Sequence, residues 1–228
     1  RVMFMPEKLI SVAVDGPVGA GKSSIARAAA KSLGFIYVDT GALYRAVGLY
    51  CRRGGADLSS REEISAMLPG IHPEIRLIDG VQHIWLNGED VSEEIRLPEI
   101  SMAASAVSSV PAVRAALLDM QRKLARENNV IMDGRDIGTV VLPDARVKIF
   151  LTAAPEIRAK RRYDELCAKG VQTTFEEVLA DLNKRDYDDS HRETAPLKQA
   201  EDAVLADTSG LDFDQSCQLV CDIIREKM

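Results

Sequence analysis

Chemistry in this chain centres on Gly16-Pro17-Val18-Gly19-Ala20-Gly21-Lys22-Ser23. The run fits the spacing G-x-x-x-x-G-K-[ST] of a phosphate-binding loop without a mismatch. Gly16, Gly19 and Gly21 permit backbone conformations closed to other residues, so successive N–H groups can turn inward toward phosphate oxygens. Lys22 supplies a mobile charge for the outer phosphates, and the hydroxyl of Ser23 can sit on Mg²⁺. A second candidate is Asp133, which ends the apolar run Val130-Ile131-Met132. A carboxylate in that position beside a phosphate loop holds Mg²⁺ directly or through water. A third is a set of cations: Arg135 beside Asp136 in Gly134-Arg135-Asp136-Ile137-Gly138-Thr139, then Arg158, Arg162, Arg185 and Arg192, with Asp188 and Asp189 between the last two. Phosphoryl transfer asks for positioned cations around the moving group more than for covalent help, and the arginine fork suits phosphate oxygens.

These groups need a frame that brings them together. Leu9 to Val14 is apolar and β-branched, a buried strand ahead of the loop. Ser24 to Leu33 is strong helix-forming sequence stopped by Gly34. Phe35 to Val38 is a second strand, Ala42 to Arg53 a second helix, and Ser59 with Glu62 predicts a capping box opening a short helix to Leu68. Asp79-Gly80 and Asn87-Gly88 between short β runs predict a three-stranded antiparallel meander over 70–92. Helices follow at about 97–109 and 112–127, with Pro98 and Pro111 near their starts. Strands at 130–133, 147–151 and 203–206, a helix opened by Pro155, another opened by Thr174 with Glu177, and a last helix at 213–227 complete the alternation. The pattern predicts an α/β chain with a parallel sheet and ligands at the strands' C-terminal ends, interrupted by a small α+β insertion over 69–127.

Composition sets limits. The 228 residues suit a single domain, with ample apolar material for a core at 46% hydrophobic. The net charge of −6 argues against a general nucleic-acid surface. No apolar stretch is long enough to span a membrane, and Arg1 to Pro6 has no apolar signal-peptide core. The chain does not begin with Met, so part of that segment is expected to be foreign to the natural protein. Cys51, Cys167, Cys217 and Cys221 are scattered and read as reduced thiols of a cytoplasmic protein. His72, His83 and His191 have no metal-binding spacing. Asn183-Lys184-Arg185-Asp186 matches the N-K-x-D guanine reader of GTPases, but it falls inside a helix instead of closing a strand.

Several segments together carry a resemblance. Val14-Asp15-Gly16-Pro17 through Lys22, Asp39-Thr40-Gly41-Ala42-Leu43-Tyr44-Arg45, Asp133-Gly134-Arg135-Asp136-Ile137-Gly138-Thr139-Val140-Val141 and Val147-Lys148-Ile149-Phe150-Leu151 are similar to the bacterial cytidylate kinases. Gly88-Glu89-Asp90-Val91-Ser92 and Ala195-Pro196-Leu197 agree, so the likeness covers nearly the whole chain. It implies a P-loop NTPase three-layer fold in a single kinase domain: a core over 8–68 and 128–228, an NMP-binding insert over 69–127, and a short helical lid at about 155–170. It implies transfer of the ATP γ-phosphate to CMP or dCMP with Mg²⁺, in a cytoplasmic monomer with no nucleic-acid or membrane partner. By the same resemblance, Gly16, Gly19, Ala20, Gly21, Lys22, Ser23 and Ser24 take the ATP phosphates. Lys22, Arg135, Arg158 and Arg162 act in catalysis, the last two from the lid. Ser105, Arg114 and Asp136 meet cytosine, Arg45, Arg135 and Arg192 stand at the CMP phosphate, Arg185 and Asp189 lie near the ribose, and Thr40 belongs to the CMP-binding set. The chain departs from the family in two places. Thr40 replaces the Ser of many members and keeps the hydroxyl. Ser23-Ser24 replaces a Gly-Thr pair of some members, leaving open which hydroxyl meets Mg²⁺. Two other readings stand beside this one: a P-loop kinase for another nucleotide or metabolite, and a nucleotide-dependent switch without turnover.

Overall fold

A computed structural model describes residues 9–228, and the expectation about Arg1 to Pro6 lies outside them. Strand β1 (Ser11–Asp15) leads through the glycine loop into α1 (Lys22–Leu33), then β2 (Ile36–Asp39) and α2 (Thr40–Arg53). Later come β6 (Val130–Gly134), β7 (Val147–Thr152) and β8 (Val204–Asp207), with α6 (Pro155–Ala168) and α7 (Phe175–His191) between the last two strands, and α8 (Phe213–Lys227) at the end. The five strands form one parallel sheet in the order β2-β6-β1-β7-β8. Their sequences are apolar on both faces because helices cover both. On one side α1 and α8 pack Ile25, Ala29, Val220 and Ile224 against Val12, Val14, Ile149 and Leu151. On the other, Val38, Val130 and Met132 meet Ile137, Leu118 and Leu124. The alternation predicts the parallel sheet, and helix, sheet, helix is the three-layer P-loop NTPase arrangement that the resemblance implies.

The second group of elements is antiparallel. Strands β3 (Pro73–Ile78), β4 (Val81–Leu86) and β5 (Glu89–Asp90) form the expected meander. Asp79 and Asn87 both take positive φ ahead of Gly80 and Gly88, which gives the two tight turns their twist. Helices α4 (Pro98–Ser108) and α5 (Pro111–Glu127) each carry their proline in the first turn, where the lost N–H has no intrahelical partner anyway. The apolar face of α2 packs into this group: Leu43, Val47 and Leu49 share a core with Ile84, Ile100 and Val107. Gly48 makes the crossing of α2 over α4 close, since a Cβ there would lie 2.9 Å from Ala103.

Helix ends follow the chemistry of their caps. Thr174 and Glu177 form the expected capping box of α7, and Asp212 with Gln215 forms another on α8. The short helix α3 (Arg61–Met67) starts one residue later than the sequence suggests. Ser60, not Ser59, caps it by accepting the N–H of Glu63, while the Ser59 hydroxyl turns to Asp57 at 2.7 Å. Both serines can cap, and Asp57 decides the choice by engaging the first.

Candidate active site

The glycine loop curls at the C-terminal end of β1. Gly16 is fixed by space as well as conformation: it has φ 153°, and a Cβ there would lie 2.0 Å from the carbonyl oxygen of Leu151 on β7. Gly19 and Gly21 also have positive φ. Lys22 opens α1, and its Nζ donates to the Pro17 carbonyl at 2.7 Å, closing the curl. Burial first, then the neighbouring charge of Arg135, depress the Lys22 pKa.

Two hard oxygens meet at the start of α1. The hydroxyl of Ser23 donates to Asp133 at 2.7 Å, and the Tyr37 hydroxyl donates to the other carboxylate oxygen at 3.1 Å. Asp133 is buried, and burial together with nearby Asp39 raises its pKa. A buried carboxylate beside a hydroxyl and a helix N-terminus suits a hard divalent cation that arrives with phosphate. Among the described residues no three His, Cys, Asp or Glu side chains cluster as a self-sufficient metal site. The Ser23 hydroxyl and the Asp133 carboxylate are hard oxygens of the kind Mg²⁺ takes. Ser23 is the hydroxyl that reaches Asp133.

The loop after β6 gathers the charged residues. Arg135 donates to Asp189 at 2.8 Å, Arg114 pairs with Asp136, and Arg192 lies 3.8 Å from Asp136 and 3.9 Å from Asp189. Three arginines thus surround two aspartates, brought from α5, the β6 loop, α7 and its end. The Nη2 of Arg192 is buried without a hydrogen-bond partner among protein groups. Burial and the nearby Arg114 push its pKa down. A buried guanidinium donor with nothing to donate to is what an anion would satisfy. Arg45 stands apart on α2, paired at 3.3 Å with Asp39, the residue that caps that helix.

Other sequence candidates are placed differently. Thr40 is buried and donates to the backbone carbonyl of Asp133 at 2.8 Å, so it braces the strand that carries the carboxylate. Ser105 is on an exposed part of α4, where its carbonyl accepts from Ser108. Arg158 and Arg162, expected to reach one ligand together, diverge. Arg158 is 4% exposed and donates to Ala153, Val18 and Asp186, while Arg162 pairs with Glu165 at the surface. Arg162 and Arg185 line a cavity of about 300 Å³ that also borders Gly19. Arg185 pairs with Asp181 at 3.0 Å.

Three positioning groups were not singled out in the sequence. Asp15, at the end of β1, accepts the N–H groups of Ile137 and Gly138 at 2.8 and 2.7 Å, which pins the loop bearing Arg135 and Asp136 beside the glycine loop. The Gln82 amide, on the β3–β4 hairpin, pairs with both the N–H and the C=O of Asp39 at 2.8 and 3.1 Å. Asp186 bonds to the glycine loop itself. Asp15 and Gln82 sit in no local signature of this role, and Asp186 closes a tetrapeptide that points elsewhere; each depends on a contact far along the chain.

Burial pushes the Asp15 carboxyl from 3.8 up to about 6, and its two N–H donors offset only part of that. Between those values the native state keeps a proton that the unfolded chain has lost. Stability should therefore fall as pH rises through that window, by about 2–3 kcal/mol. Urea unfolding at pH 4 and pH 7 checks this: wild type should lose more stability over the interval than Asp15→Asn, and equal losses would mean that Asp15 titrates normally.

The sequence profile described as cytidylate kinase matches residues 12–226. The chain belongs to the cytidylate kinase family. A cytidylate kinase of Caldicellulosiruptor bescii is 49% identical over 95% of this chain and 96% of its own length. One from Caldanaerobacter subterraneus subsp. tengcongensis is 50% identical over 95% of both chains. An uncharacterized protein from Eubacterium ventriosum has a crystal structure that superposes with TM-score 0.53 at 12% identity, covering 95% of this chain and 98% of that one. That last likeness concerns the fold alone. Family membership makes this chain a kinase, a transferase that binds nucleotides on a P-loop. Among the described residues no single helix is long and apolar enough to cross a membrane.

Proposed function

We propose that the chain transfers the γ-phosphate of ATP to CMP or dCMP, with the core over 8–68 and 128–228 holding ATP, the insert over 69–127 closing on the acceptor, and a lid at about 155–170. The observation that carries the reading is the arginine group beside Lys22, with the unpartnered Arg192 Nη2 inside it. The loop N–H groups of Gly16, Gly19, Ala20, Gly21, Lys22, Ser23 and Ser24 would hold the ATP phosphates. Ser23 and Asp133 would hold Mg²⁺, which supplies charge neutralisation at the outer phosphates. Arg45, Arg135 and Arg192 would take the CMP phosphate and align its oxygen for in-line attack. Arg162, with Arg185 in the same cavity, would approach the transferring group as the lid seats and water leaves. Asp189 orients Arg135 and, with Arg185, is assigned to the ribose end.

Cytosine is read by polarity. Its exocyclic amine donates where a carboxylate such as Asp136 accepts, and its N3 and O2 accept where Arg114 donates. Ser105 completes that set. Uracil reverses the pattern at N3 and at position 4. The α2 helix, which carries Thr40 and Arg45, packs with the insert and is taken to move with it. The four cysteines are free thiols, in keeping with the cytoplasm.

A substrate panel tests the reading. With ATP and Mg²⁺, CMP and dCMP should turn over, and UMP, AMP and GMP should lag by about a hundredfold or more in kcat/KM. Preference for another acceptor would replace the substrate assignment. Binding without turnover of any acceptor would leave a nucleotide switch.

A further inference from the structure

Asp186 has no part in the reaction just described, and the guanine-reader tetrapeptide it ends is buried in the run of α7. Its two carboxylate oxygens serve two other elements. Oδ1 accepts the N–H of Val18 in the glycine loop at 3.2 Å. Oδ2 accepts from the guanidinium of Arg158 at 2.6 Å. That same arginine, reaching from α6, donates to the Val18 carbonyl at 2.9 Å and to the Ala153 carbonyl at 2.7 Å. One ion pair therefore grips both the N–H and the C=O of a single residue in the middle of the phosphate loop.

The grip is tight and dry. The Arg158 side chain is 5% exposed and that of Asp186 is 22% exposed. Next to Val18, the loop backbone runs against α6: a Cβ on Gly19 would lie 3.3 Å from both the Cβ and the carbonyl of Arg158. Val18 has no side-chain chemistry to offer ATP. Its peptide groups set the direction of those that follow, at Gly19, Ala20 and Gly21. Without the ion pair, a loop with two left-handed glycines in succession around Ala20 would have many more backbone states to lose on binding phosphate.

We propose that Asp186 is a positioning residue for the donor nucleotide. Acting with Arg158, it holds the Val18 peptide so that the loop N–H groups are preorganised for the ATP phosphates. It touches neither substrate. Because Arg158 comes from α6 and Asp186 from α7, the readiness of the loop depends on how those two helices are seated on it. The proposal rests on ATP occupying this loop.

The test uses the full chain with two substitutions. Asp186→Ala removes both interactions. Asp186→Asn keeps an oxygen for the Val18 N–H and removes the charge facing Arg158. Calorimetry gives the Kd of ATP and of CMP separately, steady-state kinetics gives KM and kcat, and circular dichroism monitors folding. Asp186→Ala should weaken ATP by about tenfold or more, with CMP affinity within about twofold of wild type, and Asp186→Asn should fall between. A general structural role would lower both affinities together. Equal loss for ATP and CMP, or unchanged ATP affinity in either variant, overturns the proposal. If Asp186→Ala does not fold, the same split in Asp186→Asn decides. Wild-type protein that binds no ATP would overturn the assignment of the loop, and this proposal with it.

Discussion

Lys22→Ala should lower kcat by about a hundredfold or more, a loss of roughly 2.7 kcal/mol of transition-state stabilisation. The lysine is the first residue of α1 and is 6% exposed. Its ammonium already lies within the curl of the loop, bonded to Pro17. From there it can follow negative charge as that charge moves onto the transferring phosphoryl group. Taking a charge out of water is costly, and the depressed pKa reflects that burial. Phosphate oxygens would offset the cost, and they would do so most when the transition state spreads charge outward. Steady-state kinetics on a variant whose circular dichroism matches wild type makes the measurement. CMP affinity should hardly change, because Arg45, Arg135 and Arg192 are left intact. Turnover near the wild-type value in a folded variant would remove the phosphate loop from the mechanism.

The second large effect concerns choice of base. Wild type should prefer CMP to UMP by about a hundredfold or more in kcat/KM, since two reversed hydrogen-bond positions each cost about 1–3 kcal/mol. Asp136→Asn should erode that preference, because an amide can rotate to donate to uracil as well as accept from cytosine. The geometry makes the experiment pointed. Asp136 is 4% exposed and lies between Arg114 and Arg192, so the competing role is a purely structural one, holding those arginines. The roles separate in a competition assay with both nucleotides. Slowing of CMP and UMP by one common factor would make Asp136 a clamp and remove it from base reading.

Much of the framework is legible because its signals are local. The glycine loop lies between a β-branched run and an alanine-rich helix, and the structure keeps all three. The two Asp-Gly and Asn-Gly turns fix the meander through their own backbone preferences. Pro98, Pro111 and Thr174 mark helix starts without reference to anything distant. The Ser59-Ser60 and Glu62-Glu63 doublets show the limit of local reading. Two registers satisfy the same pattern, and only the turn at Asp57 selects one. Site positions are harder still. Asp186 looks like one more acid on a charged helix, yet it bonds to a loop 168 residues earlier. Asp15 reads as a strand end, but its partners are 122 and 123 residues ahead. Arg158 and Arg162 share a helix face by spacing. Packing of α6 on the glycine loop then buries one and leaves the other at the surface.

The order of strands in the sheet has a consequence for the chain as it is made. β1 and β2 are never neighbours, because β6 lies between them. The first two strands therefore have no partner until residues 130–134 have been synthesised, and the β7 side of β1 waits until 147–152. The apolar face of α2 waits likewise for α4. Once made, β1 and β2 must wait as unpaired apolar strands until β6 follows. The insert, made in that interval, closes on α2 before the sheet exists. The parallel sheet is thus completed only after the strands and helices of the insert have been made.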